Sequence, residues 1–133
     1  MESESPTVFN PSLSVETGGS NTEFAFDIFR QLNAEDESGS VFISPLSIST
    51  ALTMTYQGAR TETKEAMALA LGYTQIDVAS LNESYKNLLR HLRQVDEEIA
   101  LNISNSIWIR AGESIEEEFL TTNRDIFDAF VTQ

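Results

Sequence analysis

Apolar residues recur at three- and four-residue spacing through most of this chain and alternate with polar ones over a single stretch near its end. Ser20-x-x-Glu23 forms a capping box. It opens a predicted helix on which Phe24, Ile28, Phe29 and Leu32 share a face opposite Asp27, Arg30 and Gln31. A polar loop, residues 33–39, separates it from a short apolar strand at Val41, Phe42 and Ile43. Ser44-Pro45 then reads as N-cap and first helical position of a helix running to Gln57 and stopped by Gly58. A short helix over 63–71 rests on Met67, Leu69, Ala70 and Leu71, with Gly72 placed as its C′ residue. Ser80-x-x-Glu83 is a second capping box. It opens the most regular amphipathic helix, with Leu81, Tyr85, Leu88, Leu89 and Leu92 on one face.

The period then changes. Ile99, Leu101, Ile103, Ile107 and Ile109 fall on one face of a predicted strand, and Asn102, Ser104, Ser106 and Arg110 on the other. A last helix is expected over 116–130, and residues 131–133 look like the start of another strand. Residues 1–19 read as a flexible polar extension. Five helices therefore surround two strands that lie far apart in the chain, neither with an obvious partner. Unpaired strands leave backbone donors and acceptors unsatisfied, so the pattern asks for a larger sheet than it contains.

Composition narrows the class. A 41% hydrophobic content with eight phenylalanines in 133 residues describes a globular chain. With no cysteine, disulfides, thiolate nucleophiles and Cys-based metal sites are excluded. Twenty-one acidic residues against eight basic ones give a net charge of −13, which repels phosphate backbones and argues against a nucleic-acid partner. No segment reaches the roughly 18 apolar residues of a membrane span, and residues 1–20 show no leader-like apolar run.

Catalytic material is sparse. His91, the single histidine, stands on a helix without an associated nucleophile or orienting carboxylate motif. No nucleophile elbow, zinc-helix pair or phosphate loop is present. The acidic runs at 96–98 and 116–118 read as solvated surface or helix-start charges, not metal ligands. No catalytic residue, metal or cofactor is expected. Lys86, Arg90 and Arg93 form a basic stripe on the amphipathic helix and are the candidate anion-binding residues. The competing account is a charged outer face, which the acidic background favours. The sequons at Asn82 and Asn102 read as chance matches. Ser44, Ser47, Ser49 and Thr50 are the sharper case. Leu46, Ile48, Ala51 and Leu52 give their helix too much apolar surface to lie open, so some of these hydroxyls are expected to be buried and bonded.

The run from Ser40 to Thr63, with its strand, Ser44-Pro45 junction and hydroxyl-lined helix, resembles the strand-to-helix B junction of the serpins, the protease inhibitors that work by refolding. Asn21 to Phe29 looks like serpin helix A. Gln57-Gly58-Ala59 with Thr63 is similar to the turn into helix C. Residues 102–110 with Asn105 and Trp108 resemble strand 2A, and Phe127-Asp128-Ala129 the end of helix E. The likeness spans about residues 21–133, which makes 20–133 the N-terminal part of a serpin domain. It implies an α+β fold: helices A–E, with isolated strands belonging to larger sheets, in an incomplete domain. It also implies Ser44, Pro45 and Ser47 as the shutter, the conformational switch beneath the sheet. The reactive centre, an exposed loop nearer the family's C-terminus, is absent from this sequence. The chain alone should therefore not inhibit. A serine or cysteine protease is the implied partner if the domain is completed downstream. The alternative is a non-inhibitory interaction module that self-associates through strand 99–110. Family habit places the protein outside the cell, with the cytoplasm as alternative. The family commonly has asparagine where Ser40 stands, glycine for Thr61, alanine for Ser104 and tyrosine for Phe127.

Overall fold

The computed structural model describes residues 10–35, 38–96 and 98–132. Residues 1–9 of the polar extension, Asp36 and Glu37 of the loop, Glu97 of the acidic run and Gln133 lie outside the described residues. Five α-helices follow in order, α1 (Val15–Glu35), α2 (Pro45–Tyr56), α3 (Thr61–Leu71), α4 (Val78–Gln94) and α5 (Glu117–Phe127), with strands β1 (Asn105–Trp108) and β2 (Ala129–Thr132) on either side of α5.

The first helix starts five residues before the Ser20 capping box. Ser20 caps nothing: its hydroxyl donates to the Gly72 carbonyl at 2.8 Å and to the Glu16 carbonyl at 3.1 Å, so it bolts α1 to the end of α3. Upstream, a 3-10 turn over Pro11–Ser14 is capped by Asn10, whose side chain accepts from the Ser12 amide. The Asn87 amide group on α4 holds the Asn10 backbone from both sides, at 3.3 and 3.0 Å. Residues 10–19 thus form a capped 3-10 turn and the start of α1, largely exposed but tied to α4 through Asn10. Tertiary anchors at Asn10 and Ser20 outweigh the helix cost of Gly18 and Gly19, roughly 1 kcal/mol each.

Other boundaries shift for equally local reasons. α4 begins at Val78 because Asp77, not Ser80, is its N-cap, accepting from the Ser80 amide at 2.9 Å and hydroxyl at 2.7 Å. These two hydrogen bonds from Ser80 hold the exposed Asp77 carboxyl below its ordinary pKa. α3 begins at Thr61, whose φ of +49° is strained for a β-branched residue. The glycine the family commonly carries at that position would be at ease there. α5 ends at Phe127 because Asp128 turns left-handed, with φ +52°, so the helix predicted to residue 130 stops short.

The strands differ most from expectation. Residues 41–43 belong to no strand and have no ladder partner among the described residues. Of the long strand predicted over 99–110, only Asn105–Trp108 joins a sheet. Its partner is β2, in parallel register with Asn105 opposite Ala129 and Trp108 opposite Thr132. The sequence pattern does not make this partner obvious. The α5 crossover brings β2 alongside, as parallel pairing requires. β2 supplies four residues, so the ladder is four long, although the alternation of half-buried and exposed residues extends from Ile103 to Arg110.

The core lies among α2, α3, α4 and the start of β2. Leu81, Tyr85 and Leu89 of the α4 stripe are buried with Met54, Leu71, Tyr73, Phe127 and Ala129. Burying one such large side chain stabilises by about 1.5–3 kcal/mol. Phe127 is fully buried with its ring tilted against Tyr85, the centroids 5.5 Å apart. The α1 face is less covered: Phe24 and Ile28 are half-buried, whereas Phe26 and Phe29 are exposed. Phe42 stands almost wholly in solvent. The fold is mixed α and β, with much apolar surface left open.

Candidate functional site

The head of α2 is where sequence and structure converge. Ser44 has the extended backbone of an N-cap (φ −111°, ψ 92°) and Pro45 occupies the first helical position, where a missing N–H costs nothing. The Ser44 hydroxyl does not reach back to cap the helix. It pairs instead with the Ser47 hydroxyl at 2.9 Å, one turn on, and both are exposed. They border a cavity of about 380 Å³ between α2, the second half of α4 and the segment leading into β1, with Leu89, Leu92 and Ile103 in its lining.

Below this exposed pair the same helix carries its buried hydroxyls. Ser49 and Thr50 both donate to the Leu46 carbonyl, at 3.1 and 2.7 Å. Thr53, fully buried, donates to the Ser49 carbonyl at 2.6 Å and meets the Tyr73 hydroxyl at 2.8 Å. Tyr73 and Tyr85 share a 2.8 Å bond between their hydroxyls, and Tyr85 donates to the Asn21 side chain at 3.0 Å. The chain of bonds joins α1, α2, the loop after α3 and α4. Burial, reinforced by the neighbouring Tyr85 phenol, pushes the Tyr73 hydroxyl well above the usual tyrosine pKa. These groups are donors and acceptors without a strong base or carboxylate among them, suited to holding or exchanging hydrogen bonds and not to moving protons in a reaction.

The expectation of buried, bonded hydroxyls holds for Ser49 and Thr50, while Ser44 and Ser47 lie at the surface. Sequence reasoning missed Thr53, Tyr73 and Asn21, and read Tyr85 only as an apolar stripe member. The available signal was a tyrosine in place of leucine at a core position of the stripe.

The structure spreads the basic stripe over α4 and commits part of it. Lys86 is exposed and Arg90 half-buried. Arg93 donates to the Ile103 carbonyl at 3.2 Å and pairs with Asp128, also at 3.2 Å, joining α4 to the approach of β1 and to the corner before β2. Asn105 supports that corner by donating to the Phe127 carbonyl at 3.2 Å. The Asn82 sequon is engaged in a reciprocal amide pair with Gln57, at 2.8 and 3.1 Å.

The five helices and the two-stranded parallel sheet have known relatives. The family profile for serpins, serine protease inhibitors, matches residues 19–133, and the chain belongs to that family. Rat alpha-1-antiproteinase is 31% identical over 100 residues, covering 74% of this chain and 24% of that protein. Human thyroxine-binding globulin with its reactive loop cleaved superposes with a TM-score of 0.81 at 26% identity, over 92% of this chain and 36% of that one. Native protease nexin-1, solved with heparin, gives a TM-score of 0.75 at 28% identity, over 92% and 32%. The chain thus spans about a quarter to a third of the length of these relatives.

Proposed function

We propose that these residues serve as the N-terminal scaffold and switch region of a serine protease inhibitor, with the reactive centre supplied by a part of the protein outside this sequence. The observation that carries the reading is the Ser44–Ser47 hydroxyl pair, exposed over a cavity beside the approach to β1. Each hydroxyl can trade its partner for a strand laid above it. A neutral hydrogen bond nets about 1 kcal/mol, so two such arrangements lie close in energy. That is the requirement for a switch that opens and closes a sheet. Ser44, Pro45 and Ser47 are the residues of that switch.

The partner is a serine protease, or a cysteine protease of similar reach, and the protein has no enzymatic activity of its own. Its acidity disfavours nucleic acid, and family habit supports a location outside the cell, with the cytoplasm as the alternative. On α4, Lys86, Arg90 and Arg93 are the candidate anion contacts, although an anion would compete with Asp128 and the Ile103 carbonyl for Arg93. The test uses protein isolated from its native source, incubated with chymotrypsin-, trypsin- and elastase-type enzymes. An SDS-stable adduct with one of them is expected. The 133-residue chain alone should form none, and an adduct from it would overturn the assignment of the reactive centre to another segment.

A second reading, self-association through strand 99–110, has its own observation. Trp108 and Phe130 are 78% and 65% exposed on the outer face of the two-stranded sheet, and short sheets with open apolar surface invite pairing. Light scattering behind a sizing column decides it: apparent mass rising with concentration supports association, and a constant monomer mass excludes it.

A further inference from the structure

The starts of α3, α4 and α5 converge on a cleft of about 460 Å³ that the switch region does not use. Its size is ordinary for a small-ligand site. Its charge arrangement is not. Arg60 and Lys64 line it together with Glu116 and Glu118, yet no ion pair forms between these cations and carboxylates. Ion pairs lie elsewhere, between Arg30 and Asp27, Arg93 and Asp128, and Arg124 and Glu117.

The cations are held by the end of α2, and the carboxylates stand at the start of α5. The Arg60 guanidinium donates to the carbonyls of Ala59 and Gln57, at 2.9 and 3.3 Å. The Lys64 ammonium sits 5.6 Å from the centre of the Tyr56 ring, within cation–π range. Glu116 and Glu118 stand at the start of α5, where the helix dipole favours carboxylates. Phe119 gives the cleft an apolar surface and closes tightly on Gly58, at which any side chain would meet the ring at 3.0 Å. The reciprocal amide pair of Gln57 and Asn82 supplies neutral polar capacity, since Asn82 keeps one amide hydrogen beyond its 3.1 Å bond to Gln57.

We propose that this cleft binds a small zwitterion, a molecule with an anionic group at one end, a cationic group at the other and an apolar body between. The anion meets Arg60 and Lys64, the cation meets Glu116 and Glu118, and the body lies on Phe119. A ligand with one charge gains one of these contacts and is repelled by the opposite pair. The cleft therefore selects for both charges together, independently of whether the chain works within a protease inhibitor.

The probe is 6-aminohexanoate, titrated into the 133-residue chain and followed by amide NMR shifts, with hexanoate and hexylamine as single-charge controls. Saturable shifts at residues 58–64, 82 and 116–122 are expected, with a dissociation constant on the order of 1 mM. Each control should bind at least about tenfold more weakly, the loss expected for one charge-assisted contact. The double variants Arg60→Gln with Lys64→Gln, and Glu116→Gln with Glu118→Gln, should each lose about tenfold or more. Circular dichroism checks their helicity, and the single variant Glu118→Gln, at an exposed position, stands in for any double variant that does not fold. Absence of saturable shifts in the unmodified chain, or hexanoate binding as well as 6-aminohexanoate, overturns the proposal.

Discussion

Replacing Gly72 with alanine should loosen the corner where α1, α3 and the loop to α4 meet. Gly72 ends α3 in a left-handed conformation (φ +74°), and the following Tyr73 amide reaches back to the Ala68 carbonyl at 2.7 Å. An alanine there costs about 1 kcal/mol in backbone strain. Its Cβ would also stand 3.1 Å from Ser20 Cβ and 3.2 Å from Ser20 Oγ, while the Ser20 hydroxyl is bonded to the Gly72 carbonyl at 2.8 Å. Pushing α1 back far enough to relieve that crowding adds about 1 kcal/mol. The sum, about 2 kcal/mol, is roughly a thirtyfold change in a local opening equilibrium. Native-state hydrogen exchange reads such openings without requiring a single global transition, and the Tyr73 amide is the reporter. Gly112 provides the control: its φ is +88°, but nothing lies within 4 Å of an added Cβ. Gly112→Ala should therefore show the backbone cost alone, about fivefold faster exchange at the Glu113 amide. Equal effects at the two sites, or less than about a threefold change at Tyr73, would refute the steric part of this reasoning.

Thr61→Gly should relieve the strain of φ +49°. The cost of a left-handed threonine slightly exceeds glycine's added freedom in the unfolded chain, for a net gain of about 0.5 kcal/mol. It should be seen as about twofold slower exchange at the Lys64 amide, and faster exchange would contradict it. Tyr73 makes stability depend on alkaline pH. Its folded pKa is raised above the ordinary 10.0, chiefly by burial, so its contribution is complete below that value and is lost as pH rises beyond it. Ultraviolet titration, with Tyr73→Phe to identify its contribution, should show Tyr73 ionising only as the chain unfolds; a normal titration of Tyr73 in the folded state would sink the assignment. Arg93→Ala should cost about 1 kcal/mol, mostly from the bond to the Ile103 carbonyl, because solvent screens the pair with the exposed Asp128. The expected readout is faster exchange at the Ile109 amide, which bonds to Thr132 at the end of the two-strand ladder; unchanged exchange would show that Arg93 does not brace the strands.

The helices were legible because their signals are local. The α4 stripe, the Ser44-Pro45 junction and the Gly72 stop each depend on residues within a turn or two, and each appears where its pattern places it. What failed depended on contacts distant in sequence. Ser20 has the pattern of a cap but is taken by a carbonyl 52 residues away, so α1 runs on upstream. The strand predicted over 99–110 is mostly unpaired because a ladder needs a neighbour, and β2 supplies four residues of one. The apolar character of their helix implies that some of the hydroxyls of Ser44, Ser47, Ser49 and Thr50 are buried, and Ser49 and Thr50 are the ones that are. Their deeper continuation through Thr53, Tyr73, Tyr85 and Asn21 joins residues from separate elements that no spacing rule connects. The cleft beside Arg60 was invisible for the same reason, its charges coming from the starts of different helices.

The central claim is that these residues work as part of a complete inhibitor domain. The direct measurement is the intact mass of the product in its native source. The account predicts about three times 14.8 kDa, because the 100 residues matched in rat alpha-1-antiproteinase make up 24% of that protein. A native product of 14.8 kDa would contradict it, since loop-insertion inhibition would then have no loop to insert.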